Sequence, residues 1–214
     1  MTYWHGEFVL PIAILTAASF ALGSIPFGFL IGRAFFNVDI RKSGSGNIGT
    51  ANALRTFGKA GAAVVLVLDM LKGYLPTAVG VWIMNRPDAD QILFPLCMAG
   101  GAILGHCFSP WLRFHGGKGV ATAVGAVCAL SPVAGLGCAI VWVVTALVSR
   151  YSSVASLVSI AAAPFLMWNE TNEIATLFYG LAVTLLILWT HRENLGRLRA
   201  GRENRLSFGG STRE

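Results

Sequence analysis

Charge is what this sequence has least of. Only 12% of its 214 residues are Asp, Glu, Lys or Arg, about half of the ~25% carried by ordinary soluble domains. With 55% hydrophobic residues, that excludes a water-soluble globule and leaves lipid to cover most of the outside. Cysteine is also sparse. Cys97, Cys107, Cys128 and Cys138 show no CxxC spacing and all fall in apolar runs, which argues against a disulfide framework or a zinc site. No metal and no cofactor is expected. Acidic residues number 10 against 16 Lys and Arg, a net charge of +6, but the loops of a membrane protein account for that excess, and no nucleic-acid partner is needed to explain it. Nothing suggests a soluble second domain, so residues 1–214 read as a single transmembrane helical domain.

What is abundant is long apolar sequence. Phe8 to Gly32 carries no charge and, at ~1.5 Å per residue, exceeds a ~30 Å hydrocarbon core. It is too long for a signal-peptide core and lacks a basic segment ahead of it, so it is read as a retained span. Ala60 to Met84 follows, apolar except for Asp69 and Lys72, then Ile92–Leu112, Gly119–Ser149, Tyr151–Asn169 and Ile174–Thr190. The 31-residue Gly119–Ser149 run is long for one helix and short for two crossings. Ser131-Pro132 interrupts it, and a residue before proline is pushed out of the helical region.

Positive charge orients the spans. Of the 16 Lys and Arg residues, all but Lys72 and Arg86 fall in the loop after the first span, around the two ends of the Gly119–Ser149 run, or in the tail. The alternate loops hold Glu7, Asp88, Asp90, Glu170 and Glu173. The cation-rich side is therefore expected to be cytoplasmic, with the N-terminus outside and the C-terminus inside. Parity then requires Gly119–Ser149 to cross an even number of times. The expected fold is all-α with seven transmembrane helices; five spans plus a re-entrant hairpin is the alternative.

Three polar stretches fall on the cation-rich side. The first runs from Arg41 to Gly58 and contains Ser43-Gly44-Ser45-Gly46-Asn47. Its glycines let successive N–H groups converge on an anion. Asn47 is suited to cap a short helix from Ile48, with Gly58 as its stop, and an anion would then face a helix N-terminus. Asn52 and Arg55, three apart, share a face of that helix. The second stretch, Gly105 to Thr122, holds Lys118 between glycines, where it can approach a phosphate unobstructed; it is not a Walker loop, because the first glycine that loop requires is absent. The third, Thr190 to Glu203, places His191 and Asn194 at i, i+3, while Arg197, Arg199, Arg202 and Arg205 suit anionic headgroups. Asp69 and Lys72, inside a span, can neutralise one another at i, i+3 or contact substrate.

Together these stretches closely resemble the motifs of the bacterial acyl-phosphate:glycerol-3-phosphate acyltransferases. The matching text is Ser43-Gly44-Ser45-Gly46-Asn47, Asn52 and Arg55; then Gly105-His106, Phe108-Ser109-Pro110 and Gly116-Gly117-Lys118-Gly119-Val120-Ala121-Thr122; then His191-Arg192-Glu193-Asn194, Arg197-Leu198, Gly201 and Glu203. Asp69, Lys72 and Gly73 also match, and the resemblance covers residues 8–206. It implies a seven-span enzyme of the bacterial inner membrane with its active site facing the cytoplasm. That enzyme moves a fatty acyl group from acyl phosphate to the 1-hydroxyl of glycerol 3-phosphate, independently of acyl-CoA and acyl-carrier protein. The products are lysophosphatidic acid and inorganic phosphate.

By that resemblance Ser45, Arg55, Lys118, His191 and Asn194 hold the acceptor, with Ser43, Asn47 and Asn52 as further substrate-binding candidates. Glycerol 3-phosphate, fatty acyl phosphate and membrane lipids are the expected partners, and a monomer is expected. No His-x4-Asp pattern occurs at any of the four histidines, which argues against the other glycerolipid acyltransferase class. Two proton acceptors are open: His191, the candidate catalytic base, or the leaving phosphate. A transporter for a phosphorylated solute is the rival reading, but its site is expected near the membrane midplane at a repeat interface, and no internal repeat is visible.

Overall fold

The computed structural model describes residues 8–85 and 92–206, and among these the regular structure is helical throughout. Glu7, Arg86, Asp88, Asp90 and Arg213, which entered the charge argument, lie outside the described residues. Among the described residues nine α-helices follow in order: α1 Val9–Gly23, α2 Phe27–Phe36, α3 Thr50–Met84, α4 Leu93–Cys107, α5 Val120–Leu130, α6 Pro132–Ser149, α7 Ser152–Thr171, α8 Ile174–Thr190 and α9 Arg192–Arg199.

The breaks follow local chemistry. Pro26 denies a helical conformation to Ile25 and separates α1 from α2. Gly58, at φ 76° and ψ −171°, interrupts α3, a left-handed turn that costs glycine nothing. The first eight residues of α3 thus form the short helix expected after the first motif. That helix starts at Thr50 rather than Ile48, because Asn47 spends its side chain on the N–H of Gly49 at 2.9 Å, an Asx turn instead of an N-cap. Ser131-Pro132 splits the 31-residue run into α5 and α6.

The split is a reversal. A Cβ on Gly135 would lie 2.8 Å from Cys128 Cα, whereas seven residues of continuous helix would separate these positions by ~10 Å. Glu170, at the end of α7, fastens the return: one carboxylate oxygen accepts from the Ser131 hydroxyl and from the Ala134 N–H. That caps the otherwise unpartnered start of α6 and places the ends of α5 and α7 together.

Among the described residues five segments are long and apolar enough to cross a membrane, counting α1 and α2 as one, and six if the bent pair α8–α9 is one span. Seven were expected. The difference is α5, which has eleven residues and so rises only ~16 Å. The outward faces are apolar, as on α6, where Val133, Leu136, Ile140, Val144 and Val148 are all more than half exposed. Glycine brings the helices together: a Cβ on Gly73 would stand 2.0 Å from Thr122 O, and one on Gly125 2.0 Å from Met70 O. The α3 and α5 backbones therefore touch directly, the close approach that small residues permit in lipid. The same packing joins α1 to α4 at Gly23 and Ala102.

Candidate active site

The three polar stretches meet at one end of the bundle, around a cavity of about 390 Å³. Ser45, Asn47, Asn52, Arg55, Lys118, His191 and Asn194 all line it. Ser43 does not; its carbonyl instead accepts from Asn52.

The first stretch is organised by Asn52, which is 1% exposed. Its Oδ1 accepts from the Ser45 N–H at 2.9 Å, and its Nδ2 reaches the carbonyls of Ile40 at 3.1 Å, Ser43 at 2.9 Å and Asn47 at 2.9 Å. An amide so committed has little left for a substrate. What it does is hold the Ser-Gly-Ser-Gly turn against α3, so that Arg55 donates to Ser45 Oγ at 3.1 Å. The turn is anchored at its start by Asp39, which takes Arg41 at 2.8 Å and Arg33 at 3.3 Å.

The second stretch is closed by backbone contact. Gly116 and Gly117 donate to the carbonyls of Cys107 and His106, each at 3.0 Å. A Cβ on Gly116 would stand 2.0 Å from His106 O, and one on Gly117 2.0 Å from His106 Nε2. The paired glycines are thus required by packing onto the end of α4, more than by access to an anion. Ser109 Oγ donates to Ser24 O at 2.6 Å, pinning the loop to the α1–α2 break. Arg113 and His115, both exposed, are not among the lining residues.

The third stretch begins where the chain bends by 58° between α8 and α9. The bend turns His191, 2% exposed, and Asn194, 5% exposed, inward. Lys118 Nζ donates to Asn194 Oδ1, Asn194 Nδ2 donates to Glu203 Oε1 at 2.6 Å, and Arg197 Nε donates to Glu203 Oε2 at 2.8 Å. Arg197 and Glu203 line the cavity too. Arg197 is therefore not a headgroup contact as expected from the sequence; three residues after Asn194, it shares that residue's helix face. The chain after α9 then folds back: Leu206 N–H donates to Arg150 O at 2.7 Å.

Electrostatically the cavity suits an anion. Arg55, Lys118 and Arg197 outnumber Glu203, the lining carboxylate that has no buried lysine partner. Burial pushes the Lys118 ammonium down to about 8, and the neighbouring Arg197 cation adds to the effect. Burial also works to raise Glu203, but the hydrogen bonds from Asn194 and Arg197 carry it below its usual range, so it stays ionised. His191 Nδ1 lies 2.8 Å from Ile187 O. A carbonyl only accepts, so Nδ1 carries the proton and Nε2 the lone pair. Burial, reinforced by the Lys118 cation, pushes His191 down to about 4, and the ring is neutral at physiological pH.

Three helix N-termini also end at the cavity: Gly49–Ala51 of α3, Gly119–Ala121 of α5 and Ser152–Ser153 of α7. None has a side-chain cap, and each contributes unpaired N–H groups and the positive end of a helix dipole. Away from the cations the wall turns apolar, with Leu66 and Met70 on α3, Val124 on α5 and Trp142 and Val143 on α6. Leu66 is 38% and Val143 50% exposed, so this side of the cavity opens along the lipid-facing surface. Deeper on α3, Lys72 Nζ lies 2.7 Å from Asp69 Oδ1 and donates to Ile25 O at 2.9 Å. The pair is 1–2% exposed, and mutual neutralisation offsets a cost of ~2.5–3.5 kcal/mol per lone charge at this depth.

Comparison with known proteins agrees with this chemistry. The family described as glycerol-3-phosphate acyltransferase matches residues 13–201. The glycerol-3-phosphate acyltransferase of Rubrobacter xylanophilus is 42% identical over 197 residues, 92% of this chain and 95% of that protein. That of Erythrobacter litoralis is 41% identical over 202 residues, 94% and 98% of the two chains. The crystal structure of PlsY (YgiH), an integral membrane glycerol 3-phosphate acyltransferase in its glycerol 3-phosphate form, superposes with a TM-score of 0.85 at 35% identity, covering 92% of this chain and 96% of that one. Its lysophosphatidic acid form gives 0.83 at 34% identity. With its ring of cations, its apolar flank and its apolar helices, the chain is an integral membrane member of the glycerol-3-phosphate acyltransferase family.

Proposed function

We propose that this protein transfers a fatty acyl group from acyl phosphate to the 1-hydroxyl of glycerol 3-phosphate, releasing lysophosphatidic acid and inorganic phosphate, without acyl-CoA or acyl-carrier protein. The observation that carries this reading is the continuity of the cavity from a cationic, N–H-rich end to an apolar flank open to lipid. A donor with its own phosphate and a bare acyl chain fits both ends at once and asks for no carrier-recognition surface. The solved relatives were crystallised with glycerol 3-phosphate and with lysophosphatidic acid, which supports the same acceptor and product here.

In this reading Arg55, Lys118 and the uncapped helix ends screen two phosphates brought together. Ser45, His191 and Asn194 place the acceptor's hydroxyls, while Asn47 and Asn52 shape the turn beside them. The 1-hydroxyl oxygen attacks the acyl carbonyl carbon, the bond from that carbon to the phosphate oxygen breaks, and phosphate departs with the electron pair. The hydroxyl proton passes to Nε2 of His191 or to the departing phosphate. The mixed anhydride is already activated, so orientation and charge stabilisation are the protein's main contributions.

The same reading gives one seven-span transmembrane domain in a bacterial inner membrane, with the N-terminus outside and the cavity facing the cytoplasm. Three features support it. The cavity holds the N-termini of α3, α5 and α7 together with the C-terminal end of α8, as alternating crossings require; the Lys- and Arg-rich stretches lie at that end; and Glu170 lies at the opposite ends of α5, α6 and α7. The same reading takes the protein to act as a monomer. The test is direct. Purified protein receives glycerol 3-phosphate with palmitoyl phosphate, palmitoyl-CoA or palmitoyl-acyl-carrier protein, and lysophosphatidic acid and phosphate are measured. Product from palmitoyl phosphate alone is expected; equal turnover with a thioester donor would overturn the donor assignment.

A further inference from the structure

Beyond the residues that face the substrates, one buried cluster remains without a role. His106 is 3% exposed, and its Nδ1 has no hydrogen-bond partner and lies 3.6 Å from Asp69 Oδ1. Asp69 is paired with Lys72, and Lys72 in turn holds the α1–α2 break at Ile25. Three ionisable side chains are therefore packed together at the end of α4, where an apolar ring would fill the space at lower cost.

The other side of the imidazole explains the choice. Nε2 lies directly beneath Gly117, where a Cβ would stand 2.0 Å away, and the His106 carbonyl takes the Gly117 N–H at 3.0 Å. The next residue is Lys118. Its carbonyl accepts from Thr190 Oγ1 at 3.0 Å and its ammonium donates to Asn194. The backbone of Lys118 is thus held between the ring of His106 and the end of α8, and any tilt of that ring moves the base of the lysine.

We propose that His106, oriented by the Asp69–Lys72 pair, is a positioning residue that sets the Gly116–Lys118 turn and with it the place of the Lys118 ammonium. This rests on reading the cavity as the glycerol 3-phosphate site. Asp69 and His106 also line the cavity, so the cluster supports the site wall at the root of the lysine.

The test uses the full-length protein in detergent. His106→Phe keeps the ring and removes the nitrogen. The KM for glycerol 3-phosphate rises about tenfold, while kcat stays within about threefold and the KM for palmitoyl phosphate is unchanged, the pattern of lost acceptor binding. His106→Asn, which returns a nitrogen near the Nδ1 position, recovers part of the shift. Should His106→Phe fail to accumulate, the neutral pair Asp69→Asn with Lys72→Met carries the same expectation. A wild-type KM for glycerol 3-phosphate in a folded variant overturns the proposal, and so does a fall in kcat with both KM values unchanged. If the wild-type protein makes no product from palmitoyl phosphate, the donor reading fails instead, and calorimetric binding of glycerol 3-phosphate to the same variants then decides the role of His106.

Discussion

The Lys118 ammonium and the Asn194 amide, 76 positions apart in the chain, are hydrogen-bonded across the mouth of the cavity. The link joins the loop after α4 to the first turn of α9, and Glu203 extends it to Arg197. The cation is therefore held ready by a neutral oxygen rather than neutralised by a carboxylate. A phosphate arriving there meets a charge that no partner has cancelled.

Removing that charge should show first in acceptor binding. Hydrogen bonds to charged groups contribute roughly 1.5–3 kcal/mol, so Lys118→Ala should raise the KM for glycerol 3-phosphate by about 10- to 100-fold. Asn194→Ala should raise it about tenfold, since the ammonium loses its guide but keeps its charge. Initial rates against glycerol 3-phosphate at saturating palmitoyl phosphate check both.

The depressed Lys118 gives a pH signature. With its value near 8 in the free protein, the ammonium is protonated below that pH and lost above it. The KM for glycerol 3-phosphate should be flat near neutrality and climb above about pH 8, approaching tenfold per pH unit. Lys118→Arg keeps its proton throughout this range. It should abolish the climb while fitting less well near neutrality.

His191 separates the two destinations for the proton. Its ring is neutral above about pH 4, so a base role predicts no loss of kcat between about pH 6 and pH 8. His191→Gln should lower kcat by about 10²-fold if Nε2 takes the proton, a typical size for a general base. Near-normal kcat at saturating acceptor would assign that step to the leaving phosphate. The same depressed value has a stability consequence. The unfolded chain, near 6.5, binds the proton more readily than the folded one, so stability falls as pH drops from about 6.5 to about 4. Thermal melting across that range checks it.

Asn52 should behave as an organiser of its loop. Asn52→Leu strands the Ser45 N–H and several carbonyls, each buried orphan costing about 1–3 kcal/mol. A clear drop in melting temperature should accompany the loss of activity, and excess glycerol 3-phosphate should not restore kcat. Glu170→Ala is the contrasting case. It removes the cap of α6 at the far end of the bundle and should cost about 1 kcal/mol with kcat and both KM values intact.

Much of this was readable from the sequence, and the reasons for what was not are physical. Spans and motifs declare themselves because lipid forbids charge over long runs, so Lys118, Arg55 and His191 stand out against an apolar background. That background also exposed the family resemblance, which the comparisons confirm. Side-chain direction was not legible. Asn52 and Ser43 sit in the same stretch as Ser45, yet the Asn52 amide is taken up by the turn's own carbonyls and Ser43 does not line the cavity. The glycines of Gly116-Gly117 suggested an open approach to phosphate; only the placement of His106 beneath them reveals a packing demand. Arg197 could have been found from its spacing to Asn194, but Glu203 could not, because it lies in the chain that folds back after α9 to reach Arg150, more than fifty residues away. The length of α5 depended on how sharply Ser131-Pro132 reverses the chain.

The three uncapped helix ends around the cavity carry a consequence for how this enzyme can be dissected. Their positive field belongs to the peptide backbone, which every residue type supplies alike, so no alanine scan can delete it. Stripping Arg55 and Lys118 together should leave a floor of weak affinity for phosphorylated compounds, and truncation data summed residue by residue will understate what holds the substrates. It also makes that part of the site tolerant of drift in sequence: side chains can vary while the anchoring field, fixed by where helices begin, is inherited with the fold itself.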